Sequence, residues 1–309
     1  MIQYLYLGRV DYGEALRLQE ELVALRTAGR IGNLLLLLEH PPVLTLGRNA
    51  RRANILASDE LLAARGVTLH EINRGGDVTY HGPGQLVGYP IFDLRSLRNA
   101  KGARLGPVDF VRLMEEALIR LCGEFGVAAG RIGGLTGVWC AAHGRPLDEL
   151  CGRMAKDPPG REAKIAAIGI HVARGVTSHG FAFNVTTDLG DFALINPCGI
   201  TDRPVTSLAQ ELPDAAALPT LEALALRAAR QFGTVFGEPV ELLESLAALR
   251  AQAQTASAAA PESLAGGAPD QEPSAQEAPA PEFPANDTPL RVPAAIEHLR
   301  RSKDRPIPA

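Results

Sequence analysis

The sequence predicts an α/β (α+β) fold, a mixed and mostly antiparallel sheet flanked by helices, held in one domain over residues 1–250. Three observations carry that expectation. Apolar runs of strand length dominate the middle of the chain, amphipathic helical stripes lie on either side of them, and tight turn signals join several runs as hairpins. Hydrophobic residues make up 46% of the 309, enough to bury a core. From residue 251 the composition turns to Ala, Pro, Glu and Gln. Such a stretch cannot bury apolar surface, so 251–309 is expected to be a disordered tail.

The elements follow in order. Asp11 with Glu14 forms a capping-box pattern, after which Ala15, Leu18, Leu22 and Leu25 share a helical face that Gly29 ends. Residues 33–39 are a leucine run short enough for a strand buried on both faces; Pro41 and Pro42 break it, and 43–48 alternate as a second strand. A short helix over 58–65 stops at Gly66, and a strand at 68–73 delivers the glycine-rich loop RGGDVTYHGPGQ, residues 74–85. Residues 85–94 alternate again. Pro107 opens the strongest helix, with Phe110, Met114, Ala117, Leu118, Leu121 and Phe125 as one stripe closed by Gly126. A glycine-dense turn at 130–137 leads to Val138, Trp139 and Cys140, then to a polar insertion over about 141–163. Residues 164–173 and 175–185 read as paired inner strands turning at Arg174 and Gly175. A short turn at 188–192 enters INPCGI, and three helical stretches follow Thr206, the last from Val240 to about Arg250.

Charge and composition exclude several classes. The formal net charge is −4, and the tail holds eight acidic and five basic residues, so the folded part is near balance and carries no footprint of nucleic-acid binding. The longest apolar run, residues 34–38, is far too short to span a membrane. The N-terminus lacks the pattern of a secretory signal, and four cysteines read as free thiols in a cytoplasmic setting. Arg48, Arg51 and Arg52 read as a solvated basic face, with steering of an acidic carrier as the functional alternative. Cys140, His143 and Cys151 give C-x₂-H plus a single Cys with no fourth ligand in register, so no metal is expected. The glycine loop is not a phosphate loop, because no G-K-[ST] opens a helix after it.

The chemistry centres on Cys198, framed by Pro197 and Gly199 in a defined turn, and on Lys164, which opens the run KIAAIGIHV. A nearby ammonium favours a thiolate, and burial of the amine lowers its own proton affinity, so such a pair can serve as base and then as acid. A thiolate exchanges readily with a thioester, and aminolysis of the acyl-cysteine to an amide is downhill, so no ATP is needed. Glycine-flanked backbone at Gly75, Gly76 and Gly169 allows close approach of an acyl chain, and free N–H groups there are expected to stabilise the oxyanion.

Four stretches, HPPVLTLGR, RGGDVTYHGPGQLVGYPIFDL, KIAAIGIHVARGVTSHGFAFNV and INPCGI, resemble in this order and spacing the lipoyl(octanoyl) transferases. The resemblance runs from Tyr4 to about Gly237 and implies the biotin/lipoate protein ligase-like fold. It implies that Cys198 is the acyl-thioester nucleophile and Lys164 the lysine that activates it. The residues matching the family's acyl-binding segments are Arg74, Gly75, Gly76, Asp77, Val78, Thr79, Tyr80 and His81, with Ala167, Ile168 and Gly169, and Gly180, Phe181 and Ala182. The implied reaction moves an octanoyl group from octanoyl-acyl carrier protein to a lysine of lipoyl domains, in 2-oxoacid dehydrogenase complexes and the glycine cleavage H protein, with no cofactor. The insertion of about twenty residues before Lys164 departs from the family, as does His171, where arginine is common. Two alternatives stand beside this reading: an ATP-dependent lipoate or biotin ligase on the same fold, which needs no cysteine nucleophile, and a non-catalytic acyl-carrier-binding protein, which would have lost Cys198 or Lys164.

Overall fold

The computed structural model describes residues 1–99, 102–141, 154, 162–196, 203–215 and 218–258, the side chains of 257 and 258 excepted. Strand β1 (Ile2–Arg9) leads into helix α1 (Tyr12–Thr27), whose first turn is capped by the Asp11 carboxylate accepting from the Glu14 N–H at 3.1 Å. Strands β2 (Asn33–Glu39) and β3 (Val43–Leu46) follow, then α2 (Asp59–Ala64), β4 (Thr68–Glu71), β5 (Val78–His81) and β6 (Gln85–Ile91). Helix α3 (Pro107–Gly123) precedes a hairpin of β7 (Ala129–Ile132) and β8 (Leu135–Ala141). A second hairpin, β9 (Glu162–Ala173) and β10 (Val176–Asn184), forms the centre of the site. The chain closes with α4 (Leu208–Glu211), α5 (Leu221–Phe236), β11 (Val240–Leu242) and α6 (Leu246–Ala258).

Eight strands form one sheet in the order β11-β1-β2-β6-β10-β9-β8-β7, parallel at β11-β1-β2 and antiparallel from β2 onward; β4-β3-β5 form a second, smaller sheet. Period-two alternation explains the leucine run of β2, which is buried on both faces. Leu35 and Leu37 face α3 and α5 in one apolar cluster, whereas Leu34, Leu36 and Leu38 face α1 and α6 in another. In the first cluster Phe92, Phe110, Phe232 and Phe236 pack ring against ring, with centroids 5.4–5.7 Å apart.

Several expected boundaries move. The glycine-dense turn at 130–137 contains most of a strand, β7, hidden because Gly130 interrupts its alternation and Gly133 and Gly134 follow it directly. The loop at 74–85 contains β5, which pairs antiparallel with β3. Val240–Leu242 is a strand added to the sheet edge rather than the start of a helix. The last helix runs through Ala258, eight residues into the stretch expected to be disordered. There Ala253 is buried and its carbonyl accepts from Arg30 Nε at 3.0 Å, a tertiary anchor that composition does not reveal. Strands β8 and β9 reach Ala141 and Glu162, so the insertion spans 142–161 between them; within it Met154 is described, bridged to Gly133. No helix among the described residues is long and apolar enough to cross a membrane.

Candidate active site

The β9-β10 hairpin places Ala167 opposite Ala182, Ile168 opposite Phe181 and Gly169 opposite Gly180. The loop from Arg74 to Asp77 crosses over these pairs. Its Gly75 N–H donates to the Ile170 carbonyl at 3.0 Å, and a Cβ on Gly169 would stand 2.7 Å from the Gly75 carbonyl oxygen. The crossing therefore demands glycine at 169 and leaves a cavity beneath the loop. The Gly75 N–H is committed to that crossing.

Strand β5 divides the expected binding segment in two. Thr79 and His81 face the cavity, joined there by Arg74, Gly75 and Gly76. Val78 and Tyr80 point to the other side, into the cluster under the small sheet, where the Tyr80 hydroxyl donates to Asp191 at 2.6 Å. Asp77 braces the loop by accepting from the N–H groups of Arg51 and Val78 and from the Asn54 amide. Pairing with β3 makes β5 a strand, and a strand presents only alternate residues to one side. Ala167, Ile168, Gly169, Gly180, Phe181 and Ala182 all line the cavity.

Three further lining residues were not expected from sequence: Tyr12, Tyr89 and His179. Tyr12 stacks on His81 and tilts against His40 and His70, while the Tyr89 hydroxyl meets His40 Nε2 at 2.7 Å. His179 has φ +56, rare for a non-glycine residue; its N–H donates to Gln19 Oε1 of α1 at 2.8 Å and its Nε2 meets Asn73 Oδ1 at 2.7 Å. Burial pushes His81 down to about 3, with His40 adding to it, and pushes His179 down to about 4, with Arg74 adding. Burial likewise raises the Tyr12 and Tyr89 phenols. At neutral pH these rings are uncharged, and Arg74 supplies the guanidinium, held by Thr45 at 2.8 and 3.0 Å.

Beside the cavity lies a smaller chamber, and Lys164 lines it. The two share Thr79, Ala167 and Ala182, so they adjoin along the strands. Lys164 is 8% exposed, and Gln85, Asn184, Phe192 and Val205 complete its surroundings. Cys198 lies outside the described residues, as do His143 and Cys151. The described chain after Cys198 returns to this chamber, since Val205 lines it, whereas Asn196 before Cys198 is tied to Asn54. Asn196 N–H donates to the Asn54 carbonyl at 2.7 Å, Lys164 N–H to the Pro204 carbonyl at 2.9 Å, and Thr206 N–H to the Lys164 carbonyl at 2.9 Å. Cys122 and Cys140 are buried in the core, where burial raises both thiols well above their ordinary range. No cluster of three or more metal-ligating side chains occurs among the described residues.

Two comparisons place this architecture. The bipartite lipoate protein ligase of Thermoplasma acidophilum superposes with a TM-score of 0.54 at 16% identity, covering 82% of this chain and 90% of that one. A lipoate-protein ligase A solved with ATP gives 0.53 at 16% identity, covering 82% and 94%. At such identities the likeness is one of fold. The profile of the lipoyl protein ligase A/B catalytic domain matches residues 11–232, and the chain belongs to that family. Within it the chain sits among the octanoyltransferases: it is 59% identical to the octanoyltransferase of Acidobacterium capsulatum over 79% of its own length and 94% of that protein's. It is 53% identical to that of Koribacter versatilis over 85% and 96%, and 48% identical to that of Chloroflexus aurantiacus over 75% and 92%.

Proposed function

We propose that this chain transfers an octanoyl group from octanoyl-acyl carrier protein to a lysine of lipoyl domains, through a thioester on Cys198 with Lys164 as proton carrier. The observation that carries the reading is a buried lysine in a chamber that adjoins, along two strands, a largely apolar cavity whose one guanidinium is that of Arg74. An octanoyl chain lies against Ile168, Gly169, Gly180 and Phe181, and its thioester end reaches the chamber.

In the first half-reaction the Cys198 sulfur attacks the donor thioester carbon, and the thiol proton passes to Lys164 Nζ. The carbon–sulfur bond to the carrier breaks, and the departing thiolate takes that proton. In the second, the acceptor amine attacks the acyl-cysteine carbon and gives a proton to Lys164; the Cys198 sulfur leaves and is reprotonated. Octanoyl thioester plus amine thus becomes octanoyl amide plus thiol, with no net proton change and no nucleotide. The acceptors by this reading are lipoyl domains of 2-oxoacid dehydrogenase complexes and the glycine cleavage H protein, and the setting is the cytoplasm. The test is transfer from octanoyl-carrier to a purified lipoyl domain without ATP or magnesium. Activity only with free octanoate, ATP and magnesium would establish the ligase instead.

A further inference from the structure

Trp139 is the only tryptophan in the chain, and it lines neither cavity nor chamber. On β8 it is the cross-strand partner of Lys164, whose Nζ lies over the indole face, 4.7 Å from the ring centroid. A β-bulge sets this pairing: Val138 pairs with Ala166 and Trp139 with Lys164, so one step on β8 spans two on β9. Bulges of this kind redirect a neighbouring side chain. Gly137 lets β8 approach β9 closely at this point, since a Cβ there would stand 2.6 Å from the Ala166 carbonyl oxygen, with Lys164 Cε at a contact distance of 3.5 Å.

Packing alone does not account for an indole here. Trp139 is 1% exposed, and its N–H finds no acceptor among the described residues. Phe would fill most of the same space beside Ile132 and Leu135 without an N–H to satisfy. What an indole adds is the strongest ring quadrupole of any side chain, which attracts a cation over its face.

We propose that Trp139 is a positioning residue that favours the protonated form of Lys164 through the face of its indole ring. The consequence for transfer rests on the reading of Lys164 given above: a proton taken from the attacking thiol stays on Nζ until the departing thiolate collects it. Among the described residues, two nearby carboxylates are ion-paired. Glu162, two residues away on β9, pairs with buried Arg203 at 3.1 Å. Glu115, behind Gly137, accepts its N–H at 3.0 Å and pairs with Arg112 and Arg131. His81 meets Gln85 of the chamber wall at 2.8 Å and is uncharged at neutral pH.

Because Trp139 is unique, biosynthetic incorporation of mono-, di- and trifluorotryptophan alters this ring alone, weakening its negative face while nearly preserving its shape. The chain has only four lysines, Lys101, Lys156, Lys164 and Lys303, so ¹³Cε-lysine NMR can follow each titration, with Lys164→Arg giving the assignment. The Lys164 midpoint should fall stepwise with fluorine number, by roughly 0.4–1.5 pH units in all. W139F should lie within that series and W139L at its far end. An unchanged midpoint in the trifluorinated protein overturns the proposal, and that series needs no variant to fold. Octanoyl transfer assayed in parallel separates the two ideas: a flat titration with normal transfer sinks only the role of the indole, whereas a protein that never transfers sinks the reading of the site.

Discussion

Replacing Gly169 by Ala tests the way the glycine loop builds the cavity. The added Cβ would stand 2.7 Å from the Gly75 carbonyl oxygen and 3.3 Å from Arg74 Cδ, and the first of these is backbone that no rotamer change relieves. The loop must lift by about half an ångström, an overpacking cost of about 1–3 kcal/mol. If the lift also breaks the Gly75 N–H bond to the Ile170 carbonyl, about 1 kcal/mol more is lost. At roughly 2–4 °C per kcal/mol for a domain of this size, Tm should drop by about 2–12 °C, and by up to about 16 °C if that bond is lost as well. The same displacement deforms the acyl cavity, so KM for an octanoyl thioester should rise. Gly75→Ala is the control from the same crossing: its Cβ would meet only the Ile170 carbonyl oxygen, at an ordinary 3.5 Å, and its φ is not left-handed. That variant should keep the wild-type Tm or exceed it slightly. Calorimetry and steady-state kinetics on both decide the matter. A Gly169→Ala protein with wild-type Tm and KM would refute the crossing as the builder of the cavity.

Other consequences are equally open to measurement. His40, His81 and His179 are pushed down to about 4, 3 and 4, chiefly by burial, below the ordinary value of about 6.5. Between those values the unfolded chain binds more protons, so stability is full above pH 6.5 and falls as pH drops toward 4, by about 1.4 kcal/mol per histidine per unit; a flat Tm from pH 7 to 4.5 would contradict this. Cys122 and Cys140 should resist iodoacetamide in the native protein and react once denatured, as mass spectrometry of digests would show. Truncation after Arg250 removes the buried Ala253 and its bond from Arg30, and should lower Tm by a few degrees. Truncation after Ala258 should leave Tm unchanged.

Much of the fold is legible in the sequence because its elements are locally consistent. The β2 leucine run, the α1 cap at Asp11, the α3 stripe opened by Pro107 and the turn at Arg174 and Gly175 each combine a periodicity with a punctuating residue. What was missed depends on distant partners. Glycines mask β7, β5 is a strand only because β3 lies beside it, and α6 is held beyond Arg250 by the bond from Arg30 to the Ala253 carbonyl. The site divides the same way. Motif residues on β9 and β10 reach the cavity as a set, but Tyr12, Tyr89 and His179 arrive from separate elements with no shared spacing. The division of β5 into cavity-facing and core-facing residues appears only once its pairing is known.

The most direct test of the central claim is intact and peptide mass spectrometry after mixing the protein with octanoyl-acyl carrier protein and no acceptor. A single octanoyl adduct on Cys198, released by hydroxylamine and formed severely more slowly in a folded Lys164→Ala variant, is the expected result. An adduct elsewhere, none at all, or one that forms at the normal rate without the lysine would contradict it.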